Sequence, residues 1–231
     1  MKKVAILQSN YIPWKGYFDI INSVDEFIVL DDVQYTKSDW RNRNKIKTDK
    51  GVEWITLPVT LKGKFGQSIK ETKIANPHFL SLHWKTLCQH YRRSKFFSKF
   101  EADFADLYAH TQKLLFLSEI NCFFIKEICS FLGIKTKITM SSEFELPAEK
   151  TERLISLCKE VGAREYISGP AAQTYINQEL FTEAGIGLKY YDYSDYPEYT
   201  QQYPPFEHGV TILDLIFNEG HNATKFMKSF K

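Results

Sequence analysis

Residues 4–21, VAILQSNYIPWKGYFDII, constrain the fold more than any other stretch of this chain. Residues 4–7 form a short apolar run suited to a buried strand. Residues 8–15 make an irregular turn that mixes polar and aromatic side chains, and a helix is entered at or near Gly16. A strand that passes directly into a helix through a glycine leaves the helix's unpaired N–H groups and positive dipole end facing a crevice, a common way to build a binding site.

The next segment, EFIVLDDVQY, carries a continuous apolar run at residues 27–30 and ends in Asp31 and Asp32, the signature of a parallel strand covered on both faces. Strand, helix and strand make a βαβ unit. Residues 36–53 are polar and charged, WITLPV (54–59) supplies a third strand candidate, and 69–74 a short extended piece. Asn76 and Pro77 suit a helix start, as cap and first helical residue. Leu80, Trp84, Leu87, Cys88 and Tyr91 then follow one apolar helical stripe. A second helix is expected through Phe104, Leu107, Tyr108 and Leu115. A third is expected from Ser118 as N-cap to Gly133, a residue that accepts the left-handed cap conformation. Beyond it strands and helices alternate: strand 135–140, helix 149–161, strand 166–168, helix 171–183, strand 188–191, with a last helix at 212–217. That alternation predicts an α/β fold, a Rossmann-like parallel sheet with helices on both faces. Residues 75–133 would be a helical layer inserted within a single domain spanning 1–231.

A chain of 231 residues, 43% of them hydrophobic, buries a core without covalent staples. Cys88, Cys122, Cys129 and Cys158 sit among apolar helical neighbours with no CxxC pair, so reduced core thiols are expected, which suits the cytosol. No histidine lies at ligand spacing from them, and no metal site is expected. Lys2 and Lys3 precede only four apolar residues before Gln8, too few for a signal peptide, and no stretch approaches a membrane span, so a cytoplasmic location is expected. A net charge of +2 disfavours nucleic acid and anionic membranes as partners.

Ligands of open parallel sheets bind outside the carboxyl ends of the strands, where strand order reverses. That rule gathers residues 8–16, 31–35 and 168–170, with the tyrosine-rich segment after Tyr191. Within the first lie Gln8, Tyr11, Pro13, Trp14 and Gly16; Tyr35 ends the second. Asp31 and Asp32, at a strand end, suit a base or metal ligands, or alternatively a helix cap or partners for nearby arginines. Residues 34–51 hold six cations (Lys37, Arg41, Arg43, Lys45, Lys47, Lys50) against Asp39 and Asp49, interleaved with Trp40, Asn42 and Asn44. Arginine forks match phosphate, and asparagine amides match hydroxyls or a base edge, so WRNRN suits a phosphorylated, hydroxyl-rich ligand; the alternative is a solvated basic loop. Ser168 and Gly169 open SGPAA, a small-residue turn that either admits an anion or simply turns the chain. The aromatic content of 15% offers stacking faces where it falls in irregular segments, although most phenylalanines are expected to pack. No nucleophile elbow, Walker loop or zinc pattern is present, and neither His208 nor His221 sits in a motif.

Taken together, ILQSNYIPWKGYFDII, QYTKSDWRNRNKIK, WITLPV, EYISGPAAQTYI, PEYTQQYPPF and TILDLIFNEG resemble the WbqC-like family from end to end, in order. These are bacterial proteins associated with O-antigen and other surface-polysaccharide genes. The resemblance implies a transferase or modifying enzyme acting on a nucleotide-linked sugar. A more distant likeness, to nucleotidyltransferases of the pantothenate synthetase type, places Trp14, Lys15, Gly16 and Tyr17 in the slots of a His-x-Gly-His motif. Only the glycine matches. The imidazoles that stabilise charge on the reacting phosphate are missing, so adenylyl transfer by that route is not implied, although Lys15 and Tyr17 retain donors for an anion.

The leading reading is therefore a cytoplasmic transferase holding a nucleotide or nucleotide-sugar at the carboxyl edge of the sheet, with an acyl or aminoacyl group as a candidate for transfer. Lys15, Arg41, Arg43 and backbone N–H groups near Gly16 would take phosphate, Trp14 and Trp40 would stack, and Gln8, Asn42 and Asn44 would read hydroxyls. Tyr199 and Gln201 would add contacts from the late segment. Asp31, Asp32, Lys15 and Tyr17 are the candidate catalytic residues. The second reading is a non-catalytic protein on a degenerate nucleotidyltransferase fold that binds a nucleotide or other polysaccharide-pathway proteins.

Overall fold

The computed structural model describes residues 1–230. Its centre is β1 (Lys3–Leu7), which pairs in parallel with β2 (Glu26–Val29) through α1 (Lys15–Asn22), Leu7 standing opposite Val29. A hairpin follows, β3 (Arg43–Thr48) and β4 (Gly51–Thr56), then three helices, α2 (His78–Tyr91), α3 (Phe97–Thr111) and α4 (Leu117–Leu132). The chain returns through β5 (Lys137–Met140), α5 (Lys150–Glu160), β6 (Glu165–Ser168), α6 (Gln178–Glu183), β7 (Gly187–Tyr190) and α7 (Ile212–Glu219). Five parallel strands run in the order β5-β2-β1-β6-β7, a Rossmann-like sheet. Because the chain leaves β1 toward β2 on one side and later comes back to β6 on the other, the carboxyl ends of β1 and β6 flank the switch point.

Strand side chains alternate between two packed layers. Ala5, Phe27 and Val29 face a core shared with α1, the helical block and α7; Val4, Ile6 and Ile28 face Leu154, Leu157, Cys158 and Phe181 from α5 and α6. The larger core is aromatic. Trp84 stacks with Phe97 and Tyr108, and Phe217 of α7 meets Phe97 and Phe104 edge-on. The fully buried phenylalanines among them each contribute about 2–3 kcal/mol, while Trp84 is only partly buried. Three thiols, Cys122, Cys129 and Cys158, are pushed up to about 12 by burial and stay protonated. Among the described residues, no helix is long and apolar enough to cross a membrane.

Several local expectations are corrected. The strand expected at 54–59 does not join the parallel sheet: β4 pairs antiparallel with β3, Asn44 opposite Ile55, so residues 43–48 of the basic segment are strand rather than loop. Period-two burial explains it, because Asn44, Ile46 and Thr48 turn inward while Arg43 and Lys45 stay half-exposed. Residues 69–74 make only isolated bridges, Val59 with Ile74 and Lys73 with Phe116. The helix α2 begins at His78 after Pro77, one residue later than expected, with Asn76 Oδ1 accepting the His78 N–H at 2.9 Å. Ser118 is not the cap of α4, which begins one residue earlier after Phe116, and its hydroxyl donates to Asp31 instead. Leu115 lies beyond α3 and is exposed. Gly133 does end α4 in the left-handed region, at φ 74°. The helix expected at 171–183 divides into a 3-10 turn, Pro170–Thr174, and α6, capped by Asn177.

His83 of α2 ties the helical block to the rest. Its Nε2 donates to the Thr56 carbonyl (3.2 Å), so Nδ1 accepts from the Tyr11 hydroxyl (2.9 Å), which also meets the Tyr108 hydroxyl (3.3 Å). Burial lowers His83 to about 4. An unfolded histidine takes its proton near 6.5 and this one resists until about 4, so its share of stability is present above 6.5 and lost as pH falls toward 4. We expect denaturant titrations between pH 7 and 4 to show this acid sensitivity in the wild type, up to about 3 kcal/mol, and a reduced slope in His83→Gln. Equal slopes in both would contradict it.

Candidate functional site

The turn after β1 is held from three directions. Asp31, buried at the end of β2, accepts the Ser9 N–H at 2.8 Å and the Ser118 hydroxyl. From the hairpin, Asn44 Nδ2 donates to the carbonyls of Tyr11 (3.0 Å) and Ile12 (2.9 Å). Thr211, just before α7, donates its hydroxyl to the same Ile12 carbonyl at 2.8 Å, while the Ile212 N–H reaches Pro13 at 2.9 Å. Ile12 sits at φ 36°, a conformation that β-branched residues resist and that persists only when its surroundings over-determine it. Arg41 donates to Asn10 Oδ1, and the Tyr11 N–H donates to the Trp40 carbonyl at 3.0 Å. The amino-terminal turn and the Arg–Asn segment therefore meet.

Where they meet is a cavity of about 300 Å³ lined by Asn10, Pro13, Trp14, Trp40, Asn44 and Gly209. The first turn of α1 is roofed by the Trp14 indole, which folds back over Gly16 so closely that a Cβ there would stand 2.3 Å from Trp14 Cζ2. Gly16 thus makes room for a ring of its own chain. Trp14 in turn packs against Tyr193 and Tyr196. On the switch-point side, the Arg41 charge acts on Tyr175, opposing the upward push that burial gives that phenol.

Behind Trp14 the Lys15 ammonium is enclosed. Its Nζ donates to the Pro197 carbonyl (3.1 Å) and faces the rings of Tyr196, Tyr199 and Phe206 at 5.0, 5.3 and 5.9 Å. Burial lowers it to about 8, against the opposing pull of Asp19, Asp214 and Glu198. Tyr199 and Gln201 are spent on Asp214, donating at 2.6 and 2.8 Å, with Tyr91 adding a third bond at 2.9 Å. Burial raises Asp214 even so. His208 borders this group: its ring rests on Phe206 at 4.6 Å, its Nδ1 has no partner, and burial and the Lys15 charge both push it down.

Other candidates are placed elsewhere. Tyr11 is core. Tyr17 is buried and its hydroxyl donates to the Gln8 carbonyl (2.9 Å). Tyr35 is buried in the segment beyond β2, and Asp32 pairs with Lys70 and accepts from Ser141 toward β5. Asn42 is buried, donating to the Leu57 carbonyl at 2.8 Å. Arg43 points over Trp54, outside the cavity. Ser168 is buried and accepts from Tyr166 (3.2 Å), and Gly169 precedes the 3-10 turn; neither lines the cavity. Asn10, Asn121, Gly209 and Thr211 escaped the sequence reading, and His208 was set aside there for want of a motif. Asn10 lay beside chosen neighbours. Asn121, whose amide donates to Ser9 Oγ (3.0 Å) and the Arg41 carbonyl (2.8 Å), lay inside an apolar helix with no local signal.

The model of the WbqC-like protein family matches residues 8–226, from the first cavity-forming turn to the segment after α7. The chain belongs to the WbqC-like protein family. It is 47% identical over 228 residues to "Uncharacterized protein Rv1507c" of Mycobacterium tuberculosis (strain ATCC 25618 / H37Rv), covering 99% of this chain and 98% of that one. No solved structure gives a significant match. In this WbqC-like protein, then, family membership spans every element that builds the cavity.

Two outcomes follow from the site's construction. Gly16→Ala must displace the Trp14 indole, so we expect a loss of about 1–3 kcal/mol in denaturant unfolding together with a shift in tryptophan emission; unchanged stability would contradict the packing. Lys15 is held below its ordinary 10.5, so its charged form costs stability in the fold. That cost is full below pH 8 and disappears as pH rises from 8 toward 10.5. Relative to Lys15→Met, the wild type should gain stability between pH 7.5 and about 9.5; parallel curves would show that the amine is solvated.

Proposed function

We propose that this WbqC-like protein is a transferase that acts on a nucleotide-linked sugar or a related phosphorylated metabolite in surface-polysaccharide biosynthesis, in the cytoplasm. One observation carries the reading: two asparagines and two tryptophans from separate segments line one cavity by the turn after β1 of a Rossmann-like sheet, and Arg41 bonds to one of those asparagines, Asn10. Such sheets take nucleotides at that place. Trp14 and Trp40 offer faces for a planar ring and Asn10 and Asn44 offer amides to hydroxyls, while Arg41, bonded to Asn10 and paired with Asp39 at 3.5 Å, supplies a charge for phosphate next to that lining.

Asp31 fits the role of a support better than that of a base, because both its oxygens are engaged and it is fully enclosed. His208 fits the base better. Its neutral form is favoured by burial and by Lys15, its buried Nδ1 has no partner to compete with a substrate proton, and its neighbour Gly209 lines the cavity. An acyl or aminoacyl group is the candidate for transfer, with an amine or hydroxyl of the sugar as acceptor.

Binding to the native state alone raises thermal stability by mass action, about 2.7 kcal/mol at a hundredfold excess over Kd. A thermal-shift panel of nucleotides, nucleotide-sugars and acyl donors should therefore reveal at least one nucleotide-containing ligand. Arg41→Ala and Trp14→Leu should abolish its shift while remaining folded. No shift across the panel would overturn the reading.

A further inference from the structure

The outward face of the β3–β4 hairpin carries a group of side chains of which the cavity uses only Trp40. Trp54 and Trp40 lie together with ring centroids 5.0 Å apart and planes tilted by 44°, and they are 42% and 39% exposed, which is unusual for large apolar rings. The Arg43 guanidinium lies 4.2 Å from the Trp54 ring, and Lys45 Nζ stands 5.5 Å from Trp54 and 5.9 Å from Trp40. Among the described residues, neither Arg43 nor Lys45 has a carboxylate within ion-pair distance. Strand alternation explains why: Glu53 belongs to the opposite face, where it accepts from Thr48. The face is therefore aromatic and cationic, its neighbouring acid Asp39 being paired with Arg41 at 3.5 Å, and Trp40 joins it to the cavity.

We propose that this hairpin face binds an anionic glycan, a sugar unit bearing a carboxylate or phosphate, next to the cavity. A tilted, touching indole pair leaves no slot in which to sandwich a flat base, and Arg43 already covers part of Trp54. What remains is a one-sided apolar surface flanked by two cations. A pyranose ring lays its C–H face on such a surface while an acidic substituent meets Lys45 and Arg43, the complement of the charge present. As the acceptor site of a transferase, this platform rests on the reading above; as a glycan-binding surface it does not.

The test uses the full chain, titrated with a tetra-galacturonate and with neutral maltotetraose while tryptophan emission is followed, in wild type, Lys45→Ala and Trp54→Ala. The acidic tetramer should bind with an affinity that falls as salt rises, and the neutral one about tenfold more weakly, the loss expected when one charge-assisted contact is missing. Lys45→Ala should weaken the acidic tetramer about tenfold, and Trp54→Ala by a similar factor, with thermal midpoints showing both variants folded. Equal affinity for both tetramers, no binding of the acidic one, or folded variants that bind as the wild type does would overturn the proposal. A nucleotide-dependent thermal shift that persists in Trp54→Ala and Lys45→Ala separates the two sites. If glycan binding fails while that shift stands, the platform is refuted and the transferase reading survives; the reverse pattern supports the platform alone.

Discussion

The carbonyl of Ile12 is the point on which the site is built. A β-branched residue at φ 36° costs free energy wherever it occurs, so the turn after β1 needs outside support to keep its shape. Asn44 from the hairpin and Thr211 from the start of α7 both donate to that one oxygen, and they come from parts of the chain far apart in sequence. Thr211 is fastened to the hairpin in turn, since its N–H donates to the Lys45 carbonyl at 2.9 Å. Three segments thus share one set of bonds. The cavity is the space they leave between them, and its walls are set by the fold itself before any ligand arrives.

Buried acids hold the two ends of the sheet in different ways. At the amino end, burial would raise Glu26, but bonds from Lys2, Lys137 and Thr139 outweigh it and keep the carboxylate low, closing that end with ion pairs. Around the carboxyl end, Asp31 and Asp214 are surrounded by neutral donors, and burial wins over those bonds to raise both. Asp19 resembles neither. Burial pushes it up, yet bonds from Ser229, Tyr196 and the backbone of Lys228 prevail and hold it below its usual value, pinning the end of the described chain onto α1. The tyrosine-rich segment after β7 is thereby fixed across Lys15 and Trp14, where its rings form the enclosure.

Much of the frame could be read from local pattern. The apolar runs of β1 and β2, the glycines that end helices and the later alternation of strands and helices are all short-range signals, and the parallel sheet follows from them. The hairpin was harder. RNKIKT carries three cations in six residues and reads as a basic loop, and only the inward turn of Asn44, Ile46 and Thr48 shows it to be a strand; buried Lys47, donating to the Pro205 carbonyl, contradicts ordinary polarity rules. Trp14, Trp40, Arg41 and Asn44 stood out because aromatic, cationic and amide side chains crowd together in sequence. His208, Gly209 and Thr211 did not, since they reach the turn only through contacts that span nearly the whole chain. The reason for Gly16 was hidden as well, because nothing local says that the indole two residues earlier folds back over it.

The central claim is that the turn after β1 and the segment before the hairpin line one ligand cavity beside the switch point. The protein's four tryptophans allow a direct reading, since each gives one indole N–H signal in a nitrogen-correlated NMR spectrum. Titration with a nucleoside diphosphate should move the signals of Trp14 and Trp40 while leaving that of Trp84, packed between α2 and α3, in place. Saturation of the protein with Trp14 and Trp40 unmoved would contradict the account.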